Sequence, residues 1–161
     1  MRLFLALLPV EQFNAALVRI QSMLKNAGLQ GHYTPQENLH LTLAFIGEYT
    51  HPEDVLSCLP PFSKVPLTLR GLGNFNTLLY AGIETGPELF DYVQIMRDAL
   101  ALHQIPFDQK PFLPHITLVR NIRLPAPEIM LPPASAVAEH ISLMQSVSGP
   151  HGMIYTEIGR I

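Results

Sequence analysis

Asn38-Leu39-His40-Leu41-Thr42-Leu43-Ala44-Phe45-Ile46-Gly47 is the stretch that decides the fold, because its centre recurs. His40-Leu41-Thr42-Leu43 is echoed by His115-Ile116-Thr117-Leu118, 75 residues further on in a chain of 161. Both copies are aliphatic at every second position, the period of a strand. A strand sends successive side chains to opposite faces. His40 and Thr42 therefore share one face, and Leu39, Leu41 and Leu43 share the other. His115 and Thr117 stand opposite Ile116 and Leu118 in the same way. Each copy can anchor in a core by its aliphatic face and present an imidazole and a hydroxyl on the other. Polar groups on a largely apolar strand need partners, and a cleft with a polar ligand supplies them. One His-x-Thr alone reads as a solvated strand face. Two copies half a chain apart, in the same aliphatic frame, predict two halves of one site.

The flanking sequence fills in the frame. Residues 2–8 read as a strand ended by Pro9. Residues 1–10 also have the outline of a short signal peptide, but no small-x-small cleavage site follows, so a buried first strand is expected. Val10, Phe13, Leu17, Ile20, Leu24 and Ala27 step by three and four, which predicts a helix closed by Gly28. The first motif occupies a strand over 39–46. Thr50 with Glu53, and Thr85 with Glu88, have capping-box spacing with a proline between. The first pair predicts a short helix up to Pro60. The second predicts a longer helix with Leu89, Val93, Met96, Leu100 and His103 on one face. Residues 65–72 and 77–83 read as a hairpin between them. The second motif lies in a strand over 114–120. Prolines 125, 127, 132 and 133 argue against regular structure over 121–136. Strands over 139–146 and 153–158 close the chain. The order β-α-β-α-β-β-α-β-β-β predicts an α+β, mainly antiparallel fold.

Composition narrows the class of function. No apolar run approaches the ~20 residues needed to span a bilayer, so a membrane-spanning protein is excluded. A 48% apolar chain with a net charge of -3 is not a disordered one. Ten Lys and Arg against thirteen Asp and Glu argue against a broad clamp on long nucleic acid. A small ligand, or the end of an RNA, remains. Cys58 is the single cysteine, which leaves no internal disulfide or Cys-based zinc site and suits a reducing cytoplasm.

The chemistry is carried by the two histidines. A zinc site wants three or four ligands, whereas each motif supplies one, and no His-x-x-x-His occurs. No Gly-x-Ser-x-Gly is present, and Gly71-x-Gly73 is a hairpin signal, not a phosphate loop. Two facing imidazoles suit acid-base chemistry on a phosphodiester. Near neutral pH one can take a proton while the other gives one. Thr42, Thr117 and a nearby cation can hold the non-bridging oxygens. Arg120, five residues after His115, is the nearest cation. Strict alternation sends it to the face opposite His115, so twist, a bulge or the strand end has to re-aim it. His32, His51, His140 and His151 are expected to be solvated, and His103 to end a helix. Phe4 is expected in the core, with stacking on a base as the alternative.

The paired motifs resemble those of the two-histidine (2H) phosphoesterases. Asn38 to Gly47, and Lys110-Pro111-Phe112-Leu113-Pro114-His115-Ile116-Thr117-Leu118-Val119-Arg120, look like the two signatures of the RNA 2′,3′-cyclic phosphodiesterases, long called 2′-5′ RNA ligases. Arg2-Leu3-Phe4-Leu5-Ala6 and Gly152-x-x-Tyr155 also match that frame. The resemblance implies a single bilobal domain over 1–161, with two mainly antiparallel sheets related by a pseudo-twofold around a central cleft. One motif, 40–43 or 115–118, comes from each lobe. It implies hydrolysis of 2′,3′-cyclic phosphate ends to 2′-phosphates without metal or cofactor, by a cytoplasmic monomer acting on RNA ends, short oligonucleotides or nucleotides. By position, His40 matches the proton donor and His115 the acceptor. Thr42, Thr117 and Arg120 match the phosphate-binding groups. Reversible 2′-5′ ligation at the same site, or nucleotide binding without turnover, are the alternatives. Ile46, Lys110 and Tyr80 stand where leucine, arginine and tryptophan are usual.

Overall fold

The computed structural model describes residues 1–161. Its elements run β1 (Arg2–Leu7), α1 (Glu11–Asn26), β2 (His32–Tyr33), a 3-10 turn (Gln36–Asn38), β3 (Leu41–Glu48), α2 (Pro52–Ser57), β4 (Val65–Phe75), β5 (Leu78–Thr85), α3 (Pro87–Leu102), β6 (His115–Arg120), β7 (Ser135–Ala138), β8 (Ser142–Gly149) and β9 (Gly152–Arg160). Two sheets result, one in the order β3-β1-β8-β9 and one in the order β2-β6-β5-β4-β7. Every pairing is antiparallel. The expected bilobal α+β fold is the one observed. The motif strands β3 and β6 belong to different sheets and lie against each other where the sheets meet.

The helices bind the two sheets together. α1 follows β1 but packs on β6 and β7 of the other sheet. α3 follows β5 and packs on β3. Phe13, Leu17, Ile20 and Leu24 of α1, and Leu89, Val93, Met96 and Leu100 of α3, are all buried, as their spacing predicts. They join the aliphatic faces of both sheets in one buried cluster. That continuous core leaves the opposite sheet faces free to form a cleft.

Four local expectations are corrected. β3 begins at Leu41, not at 39, so His40 sits just before the strand. Neither capping box forms. The N-cap residues are His51 and Gly86, one position later than Thr50 and Thr85, because Pro52 and Pro87 take the first helical position. Residues 135–138 are a strand despite the prolines around them, because they pair with β4 from Val65 to Thr68. The strand expected over 139–146 is then displaced to β8. β2 is too short to leave a periodic signal; its two residues pair with Arg120 and Val119.

Candidate active site

The motif strands share one irregularity, and it sets their side chains. Along β6, Thr117 pairs with Tyr80 and Val119 with Leu79, so Leu118 is an extra residue. The bulge breaks alternation. Leu118 and Val119 are both buried, and Arg120 returns to the face of His115 and Thr117. The same happens in β3, where Thr42 pairs with Ala6 and Ala44 with Leu5, leaving Leu43 extra. Leu43 and Ala44 are both buried. The bulge in β6 is held from outside. The Leu118 carbonyl accepts hydrogen bonds from the Thr34 amide at 2.9 Å and from buried Gln21 Nε2 at 3.0 Å. Strict alternation alone would send Arg120 to the face opposite His115; of the three ways expected to re-aim it, the bulge is the one present.

The two imidazoles are held alike. His40 Nδ1 donates to the Asn38 carbonyl at 2.7 Å, and His115 Nδ1 donates to the Leu113 carbonyl at 2.6 Å. A carbonyl can only accept, so Nδ1 carries the proton in both rings. Each Nε2 is left for chemistry. Asn38, delivered by the 3-10 turn, is itself buried, and its Nδ2 donates to the Met153 carbonyl at 2.8 Å. Each ring also rests on two aromatics. Phe4 and Tyr155 lie 4.8 and 5.2 Å from His40, centroid to centroid. Phe75 and Tyr80 each lie 5.3 Å from His115. Phe4 is fully buried, as the core reading expects, and cannot serve as an open platform for a base. Burial pushes the His40 imidazole below its ordinary value. The Asn38 hydrogen bond opposes that shift, while the charges of Arg120 and His115 add to it.

His40, Thr117 and Arg120 line one cavity of about 490 Å³, together with Tyr33, His151 and Tyr155. That size suits a small ligand. Thr42 is half-buried on β3, opposite Ala6. His115 heads β6 opposite Gly82. No three His, Cys, Asp or Glu side chains cluster closely enough to hold a metal ion, and Glu37, three residues before His40, is exposed. Of the histidines expected to be solvated, His32 and His151 are exposed, yet both line this cavity. Asn38 and Tyr155, which matched the family frame without a role, and Phe75, which no motif contained, also belong to the site. A polar residue two places before His40 in an apolar run was the available signal for Asn38; nothing local marked Phe75.

Paired imidazole-hydroxyl strands in two facing sheets define a two-histidine phosphoesterase. Within that class, the chain belongs to the LigT-like phosphoesterase family. Residues 7–85, which hold the first motif, match that family's sequence profile. An RNA 2′,3′-cyclic phosphodiesterase of Thermus thermophilus is 31% identical, with 97% of this chain and 87% of that protein aligned. The protein of the same name in Thermotoga maritima is 27% identical, over 96% of this chain and 91% of its own. Among solved structures, a Thermus thermophilus protein superposes with a TM-score of 0.82 at 30% identity, covering 100% of this chain and 97% of that one. Escherichia coli LigT complexed with 3′-AMP superposes with a TM-score of 0.80 at 25% identity, covering 99% and 95%.

Proposed function

We propose that this protein hydrolyses the 2′,3′-cyclic phosphodiester of RNA or nucleotide ends and leaves a 2′-phosphomonoester. The observation that carries the proposal is the matched pair of imidazoles, each with Nδ1 tied to the carbonyl two residues before it and Nε2 free. His115 Nε2 takes a proton from water as the water oxygen bonds to phosphorus. The bond from phosphorus to the 3′ oxygen breaks, and protonated His40 gives its proton to that oxygen. Thr42, Thr117 and Arg120 hold the non-bridging oxygens as charge gathers there. The names of the relatives above support the reaction. The division of roles between the histidines follows their positions in the family motifs.

Burial holds the His40 imidazole below its ordinary value in the free cleft, so once charged it is a stronger acid than a free imidazole. An anionic phosphodiester beside it favours the charged form. The donor is thus loaded by the substrate it will protonate. The reaction as written needs no metal ion, because the two imidazoles supply both proton transfers. Both halves of the site come from one chain, which suits a monomer, and the single free cysteine suits the cytoplasm. The test is incubation with nucleoside 2′,3′-cyclic monophosphates in excess EDTA, with 2′- and 3′-phosphates resolved chromatographically. Turnover to the 2′-phosphate is expected. No product, or product only after zinc or manganese is restored, refutes the proposal.

A further inference from the structure

The reactive cavity does not end at Arg120. It shares Gly31 and His32 with a second cavity of about 580 Å³, lined also by Gly28, Asn121, Arg123 and Pro125. Gly31 makes the junction possible. A Cβ there would stand 2.7 Å from both the Arg120 carbonyl oxygen and Val119 Cγ1. Only glycine lets the segment after α1 lie directly on β6, and that contact sets His32 opposite Arg120 in the ladder. Arg120, His32 and Arg123 then mark a path leading out of the site. Neither cavity on this path is lined by a carboxylate. Each of three neighbouring cavities presents one: Glu37 beside the β8–β9 hairpin, Glu84 beside β4 and β5, and Glu128 under the proline-rich segment. In a chain of net charge -3 a cation-lined groove is not what composition alone provides.

We propose that the groove of His32 and Arg123 is a second phosphate site, which takes the phosphate on the 5′ oxygen of the reacting nucleotide. This rests on the cyclic phosphodiesterase reading above. In an RNA end the cyclic phosphate occupies the 2′ and 3′ oxygens, so the strand continues through the 5′ oxygen. With that cyclic phosphate beside His40, Thr117 and Arg120, the strand can run on into either of two cavities that share lining residues with the reactive one. The cavity at Glu37 repels a phosphodiester; the cavity at His32 and Arg123 attracts one. The site therefore favours a short oligonucleotide over a lone nucleoside cyclic phosphate, and the low overall basic content costs it only the grip on long RNA.

The experiment compares kcat/KM for three substrates at about 50 mM salt: a nucleoside 2′,3′-cyclic phosphate, the same compound with a 5′-phosphate, and a dinucleotide ending in the cyclic phosphate. The last two should exceed the first by roughly five- to tenfold, the scale of one or two exposed phosphate contacts at low salt. Arg123→Ala and His32→Gln should each shrink that ratio, and the double variant should erase it. Lys64→Ala, a cation lining neither cavity, should leave it intact. Equal rates on all three substrates, or a ratio that survives the double variant, overturn the proposal. Calorimetric binding of a dinucleotide 3′-phosphate against a nucleoside 3′-phosphate gives a readout without turnover. Tighter binding of the dinucleotide, lost in Arg123→Ala, supports the second site even if hydrolysis fails. Equal affinities reject it even if hydrolysis succeeds.

Discussion

Gly73→Ala should disable His115 from two strands away. Gly73 faces Tyr80 across the β4–β5 ladder, and the Tyr80 ring lies over the space a side chain would fill. A Cβ at this position would stand 2.5 Å from Tyr80 Cζ. Ordinary contact begins near 3.4 Å, so the ring must retreat by roughly 1 Å. Retreat is not free, because Tyr80 is stacked on Phe75 at 4.5 Å and meets His115 at 5.3 Å. The displacement passes to the imidazole. A catalytic group misplaced by about 1 Å costs on the order of 10²-fold in rate. The stability cost should be smaller, about 1 kcal/mol, since Phe75 is 43% exposed and the wedge can open toward solvent. The assay is a double-variant cycle on cyclic nucleotide hydrolysis, with thermal unfolding alongside. Tyr80→Ala removes the ring that the added methyl would strike, so Gly73→Ala should cost almost nothing in that background. Wild-type turnover in Gly73→Ala, or losses that multiply through the cycle, would refute the wedge argument.

Other consequences follow from the same geometry. His40→Ala and His115→Ala should each lower kcat by at least ~10²-fold, and together by less than the product, because the pair works as a unit; near-normal turnover in either single variant refutes its role. Arg120→Ala should cost about 10²-fold in kcat/KM, with Arg120→Lys recovering part of it as a point charge without fork geometry; equal values for lysine and alanine would show that charge is not what counts. His40 must be charged to give its proton, so the alkaline limb of the activity profile should belong to it. Burial lowers its pKa in the free protein, and a phosphate beside the ring opposes that, so the alkaline limb of kcat should lie at higher pH than that of kcat/KM; the reverse order contradicts the electrostatics. Gln21→Leu leaves the Thr34 carbonyl and one lone pair of the Leu118 carbonyl without their buried donor. It should lower stability by about 1–3 kcal/mol and also reduce kcat/KM by loosening the bulge that aims Arg120; a change in Tm with full activity would separate the two.

What the sequence disclosed was what alternation and spacing control. The aliphatic faces of both motifs are buried, the stripes from Phe13 to Leu24 and from Leu89 to Leu100 are core while their ends at Val10, Ala27 and His103 are exposed, and Gly28 follows the end of α1 with φ +90°. Arg120 shows where that reading stops. A bulge at Leu118 has no local code, because its freed carbonyl is satisfied by Gln21, 97 residues earlier in the chain, and by the Thr34 amide. Only the folded arrangement of α1 against β6 brings those donors into place. β2 and β7 were missed for a related reason. Strands of two and four residues exist by pairing with a longer neighbour, not by their own pattern. The aromatic pairs around the histidines come from β1 and β9 in one lobe and from β4 and β5 in the other. No spacing along the chain connects them to residues 40 and 115.

The two motif strands carry the same device with one cleft-facing residue changed, and in the proposed reaction that change helps to divide the labour. Shifting β3 by 75 positions lays His40 on His115, Thr42 on Thr117, the bulged Leu43 on Leu118 and Phe45 on Arg120. Each bulge brings its last residue back to the cleft face, so the place filled by a guanidinium in one lobe is filled by a benzyl ring in the other. Phe45 lies under Arg2 at 5.2 Å and against Phe4 at 6.0 Å, in the small apolar cluster that also cushions His40. Arg120 belongs to the second lobe, yet its charge bears on His40 of the first. Phe45 has no charge with which to act on His115 in return. Two imidazoles in identical surroundings would compete for one proton, and neither would be committed to giving or taking it. Acid-base division needs environments that differ. Here the larger difference is the deeper burial of His40, and one side chain at equivalent ends of the two strands adds to it. Replacing Phe45 by arginine would remove that part of the asymmetry. It should therefore lower turnover while leaving phosphate affinity intact or improved, and a Phe45→Arg variant that hydrolyses faster than the parent would refute the account.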